Sequence, residues 1–538
     1  MLFCTFAEDR FFFLRQIPPL PGCERGIKID AAEGNAEAVP AWRKESLEKR
    51  LATAMVRGDD SYLEADLVEA IGQNPKAVDW IEGPLMDGMR TAGQLFGEGK
   101  MFLPQVVKTA RTMKHAVDFL TPYMESGDAG NHAGTVVLAT VKGDVHDIGK
   151  NIVSVILRCN GFRVVDLGVM VPCETIMESI RTEKPDIVAL SGLITPSLAE
   201  MEHVAAAMEA EGLTIPLFVG GATTSKEHTA LHISRQYSGP CVQTKDASEI
   251  IPAVKAILSP AERDAFLRDL AAEYDAIRAE RAKKESAKSV MPAAIRKSQT
   301  PAPAPAVKEI RTLAAGLDEL LPYFDWNLYY YIWNLRGKTP ETEEAKAELR
   351  KDGEALLRKA AEQHLLSPKA VFGIFPAGSA GETVTVCGEK ILFARNDAGR
   401  SLADYLTEEN DYLGMLAVTV SGAADYVTAD EYESLQIRIL AECLAEAFAE
   451  KLHKEIRTDY WGFVKEESWT MEDLFAGKPQ GIRAAPGYPV CPDHTLKRPI
   501  FRILDVTNAI GVRLTGNDMM DPAASVCGYV FASKDARY

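Results

Sequence analysis

Cysteines that could pair are what this chain most plainly lacks. Nine are scattered through 538 residues, at positions 4, 23, 159, 173, 241, 387, 443, 491 and 527, with no two adjacent and no Cys-x-x-Cys. That excludes a disulfide framework and a thiolate zinc module, and it fits a reducing cytoplasm. Cys491 and His494 share Cys-x-x-His spacing, but no second ligand pair accompanies them. No run approaches the roughly 20 apolar residues of a membrane span. Positive charge is scarce as well. Sixty Lys and Arg stand against 77 Asp and Glu, a net charge of −17 with no dense basic cluster, which argues against a nucleic-acid or anionic-membrane surface. The remainder is ordinary for a globular protein, 46% hydrophobic and 25% charged, and the length predicts two to four domains.

What is present is organised around Gly143-Asp144-Val145-His146-Asp147-Ile148-Gly149-Lys150-Asn151. The apolar run Val136–Thr140 before it reads as a buried parallel strand, and Ile148–Asn160 after it is apolar at helical spacing and closed by Gly161. Asp144 and His146 therefore lie on the loop leaving the carboxyl end of a strand, where open α/β sheets bind ligands. With one residue between them, the carboxylate can fix the imidazole tautomer and make its other nitrogen more basic. Such a histidine is a metal ligand or a base; the plain alternative is a loop histidine kept soluble by acidic neighbours.

The N-terminal residues 1–39 remain unassigned. Arg10-Phe11-Phe12-Phe13-Leu14-Arg15 lacks the uninterrupted apolar region and cleavage site of a signal peptide, and reads as a linker remnant or start-site artefact, less readily as a docking segment. Residues 40–128 have helical period; Trp42–Arg57, Ser61–Ile71, Lys76–Phe96 and Leu103–Leu120 would form an antiparallel four-helix bundle. Residues 132–266 alternate strand and helix. The strands Val136–Thr140, Phe162–Asp166, Asp186–Ser191, Leu217–Gly220 and Cys241–Gln243 predict a flavodoxin-like, doubly wound parallel sheet. Gly192, Thr195, Gly220, Gly221 and Ala222 would let a bulky group approach the strand ends.

Ala261–Ser289 is charged and helical, and 290–307, with Thr300-Pro301-Ala302-Pro303-Ala304-Pro305, is a semi-rigid Pro/Ala linker. Residues 308–538 make a last domain of mixed character. In it Leu317–Asn334 reads as an aromatic core helix, Lys338–Ala370 as a long charged helical stretch, Val384–Ala394 and Met415–Ser421 as strands, and Asp430–Thr458 as an amphipathic helix. Arg483-Ala484-Ala485-Pro486-Gly487-Tyr488-Pro489-Val490-Cys491-Pro492 is an extended, rigid loop whose carbonyls and arginine could hold a charged ligand. No Gly-x-Gly-x-x-Gly occurs there, so a Rossmann-type methyltransferase site is not supported.

Asp-x-His-x-x-Gly at 144–149, Ser191-Gly192-Leu193 one βα unit later and Gly220-Gly221 after the next resemble the cobalamin-binding domain in which a protein histidine replaces the cofactor's own base on cobalt. Val141–Asn151, Val165–Pro172, Leu190–Leu198 and the 483–492 run are similar to cobalamin-dependent methionine synthases, over roughly residues 40–538. The resemblance implies a multidomain α and α/β protein: a helical cap, the flavodoxin-like cobalamin domain and an α+β activation domain that binds S-adenosylmethionine. It implies His146 as the lower axial cobalt ligand of cobalamin (methylcobalamin), with Asp144 and Ser197 as its relay. It places Gly143, Val145, Asp147, Gly149, Ser191, Thr195, Gly220, Gly221 and Ala247 around the corrinoid, Phe96 and Leu103 against the methyl group, and Glu82 near the corrin. Asp325, Arg483, Ala485 and Tyr538 match S-adenosylmethionine contacts.

The family's homocysteine domain holds zinc through three thiolates, and its folate barrel holds methyltetrahydrofolate. Neither signature occurs here, so zinc is expected only in a domain outside this sequence, and homocysteine- and folate-binding domains, in the same or another chain, are expected partners. The family also continues past Tyr538. Loss of the His146 bond on reduction would be coupled to proton uptake by the Asp144–His146–Ser197 chain, and a flavodoxin-like donor would supply the reactivating electron. Two competing readings are a stand-alone corrinoid carrier or sensor, against which the 483–489 motif speaks, and an adenosylcobalamin isomerase, for whose barrel there is no room.

Overall fold

Strand β1, Thr135–Thr140, is apolar and buried, and lies inside a five-stranded parallel sheet. In the computed structural model, residues 40–97, 100–123, 133–221, 223–245, 249–285, 298, 300–396, 399–426, 428, 430–465, 473, 480–488, 490–534 and 536 are described. They fall into two units, one of residues 40–101 and 105–123, the other of the remaining described residues.

The first unit is helical. Leu47–Arg57, Leu63–Gln73, Met86–Gly97 and Leu103–Leu120 are the long helices, as the 3.6-residue period predicts. Leu51, Met55, Leu63, Leu67, Trp80, Leu85 and Leu120 pack at its centre. Ala77–Trp80 runs into Met86 through a wide turn, Ile81–Leu85, where Gly83 leaves helical geometry beside Pro84. Gly88 is needed for close approach: a Cβ there would lie 2.5 Å from that of Met55.

In the second unit, β2 (Arg163–Asp166), β3 (Ile187–Ser191), β4 (Leu217–Gly220) and β5 (Cys241–Thr244) join β1 in the order β2-β1-β3-β4-β5. The chain goes from β1 to one side, then crosses back to β3 on the other. The ends of β1 and β3 therefore form a topological switch point. Helix Arg263–Glu285 packs on this domain, with the Tyr274 hydroxyl donating to the Cys241 carbonyl at 3.0 Å. This packing continues beyond residue 266 along the same helix.

The C-terminal part is built on an antiparallel sheet. Its strands are β6 (Arg311–Ala314), β7 (Ser367–Ala380), β8 (Thr383–Val386), β9 (Glu389–Leu392), β10 (Asp411–Ser421), β11 (Ile482–Ala484) and β14 (Ser525–Phe531), in order β11-β14-β10-β7-β8-β9 with β6 also on β7. A separate hairpin, β12 (Arg513–Leu514) and β13 (Met520–Asp521), stands apart. Several expectations are corrected here. The charged helix ends at Glu362 and 367–370 opens β7; Val384–Ala394 is a tight hairpin, β8 and β9, turning at Cys387-Gly388, both with positive φ. Leu317–Asn334 is three short helical pieces, not one helix. Helix Glu431–Glu455 is buried on most faces rather than amphipathic, since Leu435, Ile437, Ile439, Leu440, Cys443, Leu444 and Phe448, with Ala441, Ala445 and Ala449 on the remaining side, are all buried.

The Pro/Ala run is not a free linker throughout. From Ser298 it lies along the C-terminal domain: Ser298 N donates to Asp404 O at 2.8 Å, Ala302 N to Asp411 Oδ1 at 2.9 Å, Trp461 Nε1 to Pro303 O at 2.9 Å and Val307 N to Tyr460 O at 2.9 Å. Proline's missing donors leave the carbonyls to do part of the pinning.

Candidate functional site

Gly143, at φ +77°, turns the chain off β1 and sets Asp144 beneath the loop with no exposure at all. Asp144 Oδ1 holds His146 Nδ1 at 2.6 Å and the His146 backbone N–H at 3.1 Å. Its Oδ2 accepts from Ser197 Oγ at 2.7 Å and Leu193 N at 2.6 Å. The last two donors come from the loop and helix after β3, so the switch point brings the relay together. Thr140 Oγ1 donates to the His146 carbonyl at 3.1 Å and Met170 N to the Asp144 carbonyl at 3.0 Å, fixing the loop backbone.

Burial alone would raise the Asp144 carboxyl. The His146 hydrogen bond and charge, the Leu193 N–H and the Ser197 hydroxyl outweigh it and hold the group at about 2. Asp144 is thus a carboxylate at neutral pH, and with Nδ1 bound to it the Nε2 edge of His146 faces away. Such an imidazole can bind a metal or take a proton at Nε2. A corrinoid needs bare backbone nearby. At Gly221 (φ +120°) a Cβ would sit 1.9 Å from the Gly192 carbonyl oxygen, so the walls after β3 and β4 meet with no side chain between them. The donor set and the bare walls fit the cofactor.

Ser191 and Gly220 end β3 and β4, Thr195 opens the helix Thr195–Ala210, and Val145 and Gly149 flank His146 in sequence. Ala247 and Tyr538 lie outside the described residues. Asp147 makes an ion pair with Arg438, Thr515 Oγ1 donates to the Gly143 carbonyl at 3.2 Å and Asn517 Nδ2 to the Lys142 carbonyl at 3.3 Å. The C-terminal domain therefore rests on the Asp-x-His loop. Between them is a small cleft lined by His146, Tyr488, His494, Lys497, Met519 and Ala523. Sequence reasoning missed Lys142, Arg438, Thr515 and Asn517 here, because nothing local marks a contact between residues hundreds of positions apart.

Arg483, on β11, pairs with Glu446 and, at 2.8 Å, with Glu450, one turn apart on the Glu431–Glu455 helix. Those two glutamates carry no signal in the sequence either. Asp325 is buried and caps the helix Trp326–Ile332 through Asn327 N at 3.0 Å. Burial raises the Cys443 thiol, and Glu442, Asp325 and Glu446 add to it. The Ala485 carbonyl accepts Tyr488 N at 3.2 Å. Burial pushes the Cys491 thiol up to about 12, and His494 Nδ1 faces Lys497 Nζ at 2.7 Å. In the helical unit, Glu82 is exposed in the wide turn and Phe96 half-buried; Leu103 is buried. No helix among the described residues is long and apolar enough to cross a membrane.

The family described as vitamin B12 dependent methionine synthase, activation domain, matches residues 316–538. Two B12 binding domain families match residues 134–236 and 47–121. Among solved structures, the MetH reactivation domain bound to AdoHcy is 32% identical over 44% of this chain and 83% of its own, with a TM-score of 0.41. The methanol:cobalamin methyltransferase complex MtaBC from Methanosarcina barkeri is 31% identical over 42% and 84%, TM-score 0.38. A cobalamin-binding protein from Desulfitobacterium hafniense DCB-2 is 28% identical over 39% and 97%, TM-score 0.31. The identities and matched residues, not the superpositions, carry the assignment: the chain belongs to the cobalamin-dependent methionine synthase family and bears its cobalamin-binding and activation domains.

Proposed function

We propose that this chain holds cobalamin with His146 Nε2 on the cobalt, carries a methyl group from methyltetrahydrofolate to homocysteine, and restores its cofactor with S-adenosylmethionine. The observation that supports it most directly is the bond of His146 Nδ1 to a fully buried Asp144 that is itself tied to Ser197. Bound cobalamin would supply a cobalt that accepts and releases a methyl group. Asp144 orients the ring and keeps the proton on Nδ1, so the Nε2 lone pair is available. When Nε2 is released it can take a proton, and the carboxylate of Asp144 stabilises the resulting cation, with Ser197 Oγ still donating to Oδ2. Gly143, Val145, Asp147, Gly149, Ser191, Thr195, Gly220, Gly221 and Ala247 would surround the corrinoid; Phe96, Leu103 and Glu82 would cover its other face.

In the activation domain, Asp325 would take the cationic amine of S-adenosylmethionine and Arg483 its carboxylate, with Ala485 and Tyr538 as further contacts. Such charge-assisted bonds are worth about 1.5–3 kcal/mol each. Arg483 must then leave or share Glu446 and Glu450. Domains or a chain binding homocysteine and methyltetrahydrofolate, and a flavodoxin-like electron donor, complete the cycle. We take 40–128 as the cap, 132–266 as the cobalamin domain, 290–307 as the linker and 308–538 as the activation domain. A corrinoid carrier without reactivation accounts for 134–236 but leaves 316–538 without a role.

The test is the absorption spectrum of methylcobalamin bound to the purified chain. His146→Ala should move it to a form lacking histidine coordination; an unchanged spectrum overturns the assignment.

A further inference from the structure

Away from the Asp144–His146 relay, the cobalamin domain brings together three metal-ligating side chains that the proposed cycle does not use. Glu202 lies in the second turn of helix Thr195–Ala210, which leaves β3. His228 and His232 lie four residues apart in the helical run that leaves β4, starting at Lys226–His228 and passing through the wide turn Thr229–Ile233. Four-residue spacing puts two imidazoles on one helix face. Here the rings stack, with centroids 4.6 Å apart at 20°. His228 Nε2 is 3.1 Å from Glu202 Oε1, and one ligand atom from each of the three residues lies within 4.8 Å of the others.

We infer that Glu202, His228 and His232 form an exchangeable site for a divalent first-row transition cation such as Zn²⁺ or Ni²⁺. Tetrahedral zinc at about 2.0–2.1 Å from N and O ligands sets neighbouring donors roughly 3.3 Å apart. The Glu202–His228 pair already has that separation. Only His232, which is exposed, must close in, and an exposed side chain can do so by rotation. Two imidazoles and one carboxylate suit zinc, nickel or copper and disfavour magnesium and calcium, which prefer oxygen sets. Three protein ligands leave a position for water, the pattern of an open site.

The scaffold is held in place. Ser225 Oγ accepts His228 N at 3.1 Å, and Arg278, from the helix Arg263–Glu285, donates to the Ala230 carbonyl at 3.0 Å and Ser234 Oγ at 2.9 Å. A bound cation joins the helix that carries Ser197 to the run that follows Gly220-Gly221. It therefore clasps the two elements whose backbones meet at Gly192 and Gly221. This is unlike the three-thiolate zinc site of the family's homocysteine domain, since no sulfur takes part.

Zn²⁺ titrated calorimetrically into the full chain should fill one site that His232→Ala weakens at least ten-fold. Glu202→Gln should weaken it less, and Mg²⁺ should not compete. His203→Ala, on the same helix but outside the cluster, should leave it unchanged. Zn²⁺ should also raise the melting temperature of the parent and not that of His232→Ala, whose exposed side chain has little part in folding. A parent with no such site, or equal zinc affinity in parent and His232→Ala, overturns the inference.

Discussion

Asp144 shows how one residue can be both structural and functional. Its carboxyl sits at about 2, below its ordinary 3.8, once the partners on Oδ1 and Oδ2 have overcome burial. A depressed carboxyl contributes stability above its unfolded value and loses it as pH falls through the folded one. The window is therefore about pH 4 down to about pH 2, and the contribution above it is roughly 2 kcal/mol. Asp144→Asn should remove this acid-dependent part, so that parent and variant converge in denaturant midpoint near pH 2. A variant whose stability keeps the parent's slope across that window would show that Asp144 is not the group. Arg483 makes the converse case. Its Nη2 is already paired with two glutamates, and Arg483→Ala should weaken S-adenosylmethionine binding at least ten-fold by calorimetry. Glu446→Gln, which frees the arginine, should weaken it far less.

At the scale of elements, local pattern is enough for the cobalamin domain. The strands β1, β3 and β4 are short apolar runs bounded by turn residues, and Ile148–Cys159 has a clean helical period. β7 escaped because Pro368, Gly373, Pro376 and Gly378 interrupt it, and such residues argue against a central strand. The tertiary setting explains them. Pro376 pairs with Tyr412 of β10 on one side, and on the other it falls in the gap between β6, which ends its pairing at Phe372, and β8, which begins at Ala377. Gly378 is where the Glu408 carbonyl comes within 2.2 Å of a would-be Cβ. The relay to Ser197 was legible only through family resemblance, since 53 residues separate it from Asp144. The Glu202–His228–His232 group had no local signal beyond His-x-x-x-His. Gly221→Ala belongs at this scale. With positive φ and the Gly192 carbonyl 1.9 Å away, it should destabilise the domain by about 1–3 kcal/mol in chemical unfolding and weaken cobalamin binding. Normal stability with an added methyl would mean that the two walls can part freely.

For the second unit as a whole, the activation domain meets the Asp-x-His loop and, through helix Glu431–Glu455, the helix that follows it. Beyond Arg438–Asp147 and the bonds of Thr515 and Asn517, the contact has a small apolar cluster of Val145, Ile194, Met519 and Ala523. Partly exposed ion pairs of this sort contribute about 1 kcal/mol or less. A flat macrocycle over His146 requires that face to open, so the contact should gate cofactor entry. Combining Arg438→Ala with Asn517→Ala should speed cobalamin uptake several-fold in stopped-flow absorbance, whereas an unchanged rate would place the gate elsewhere. How far the parts can then move is set by the docked Pro/Ala strap. With Ser298 fastened to Asp404, thirteen Cα steps separate it from Glu285, the last residue of the preceding helix. A taut chain covers about 3.3–3.6 Å per step, so its reach is roughly 45 Å at most. The released domain is confined to a sphere of that radius, and inside it the local concentration of one domain around the other stays near the millimolar range. Return to the cobalamin loop is then a search within a tethered volume, independent of how dilute the protein is.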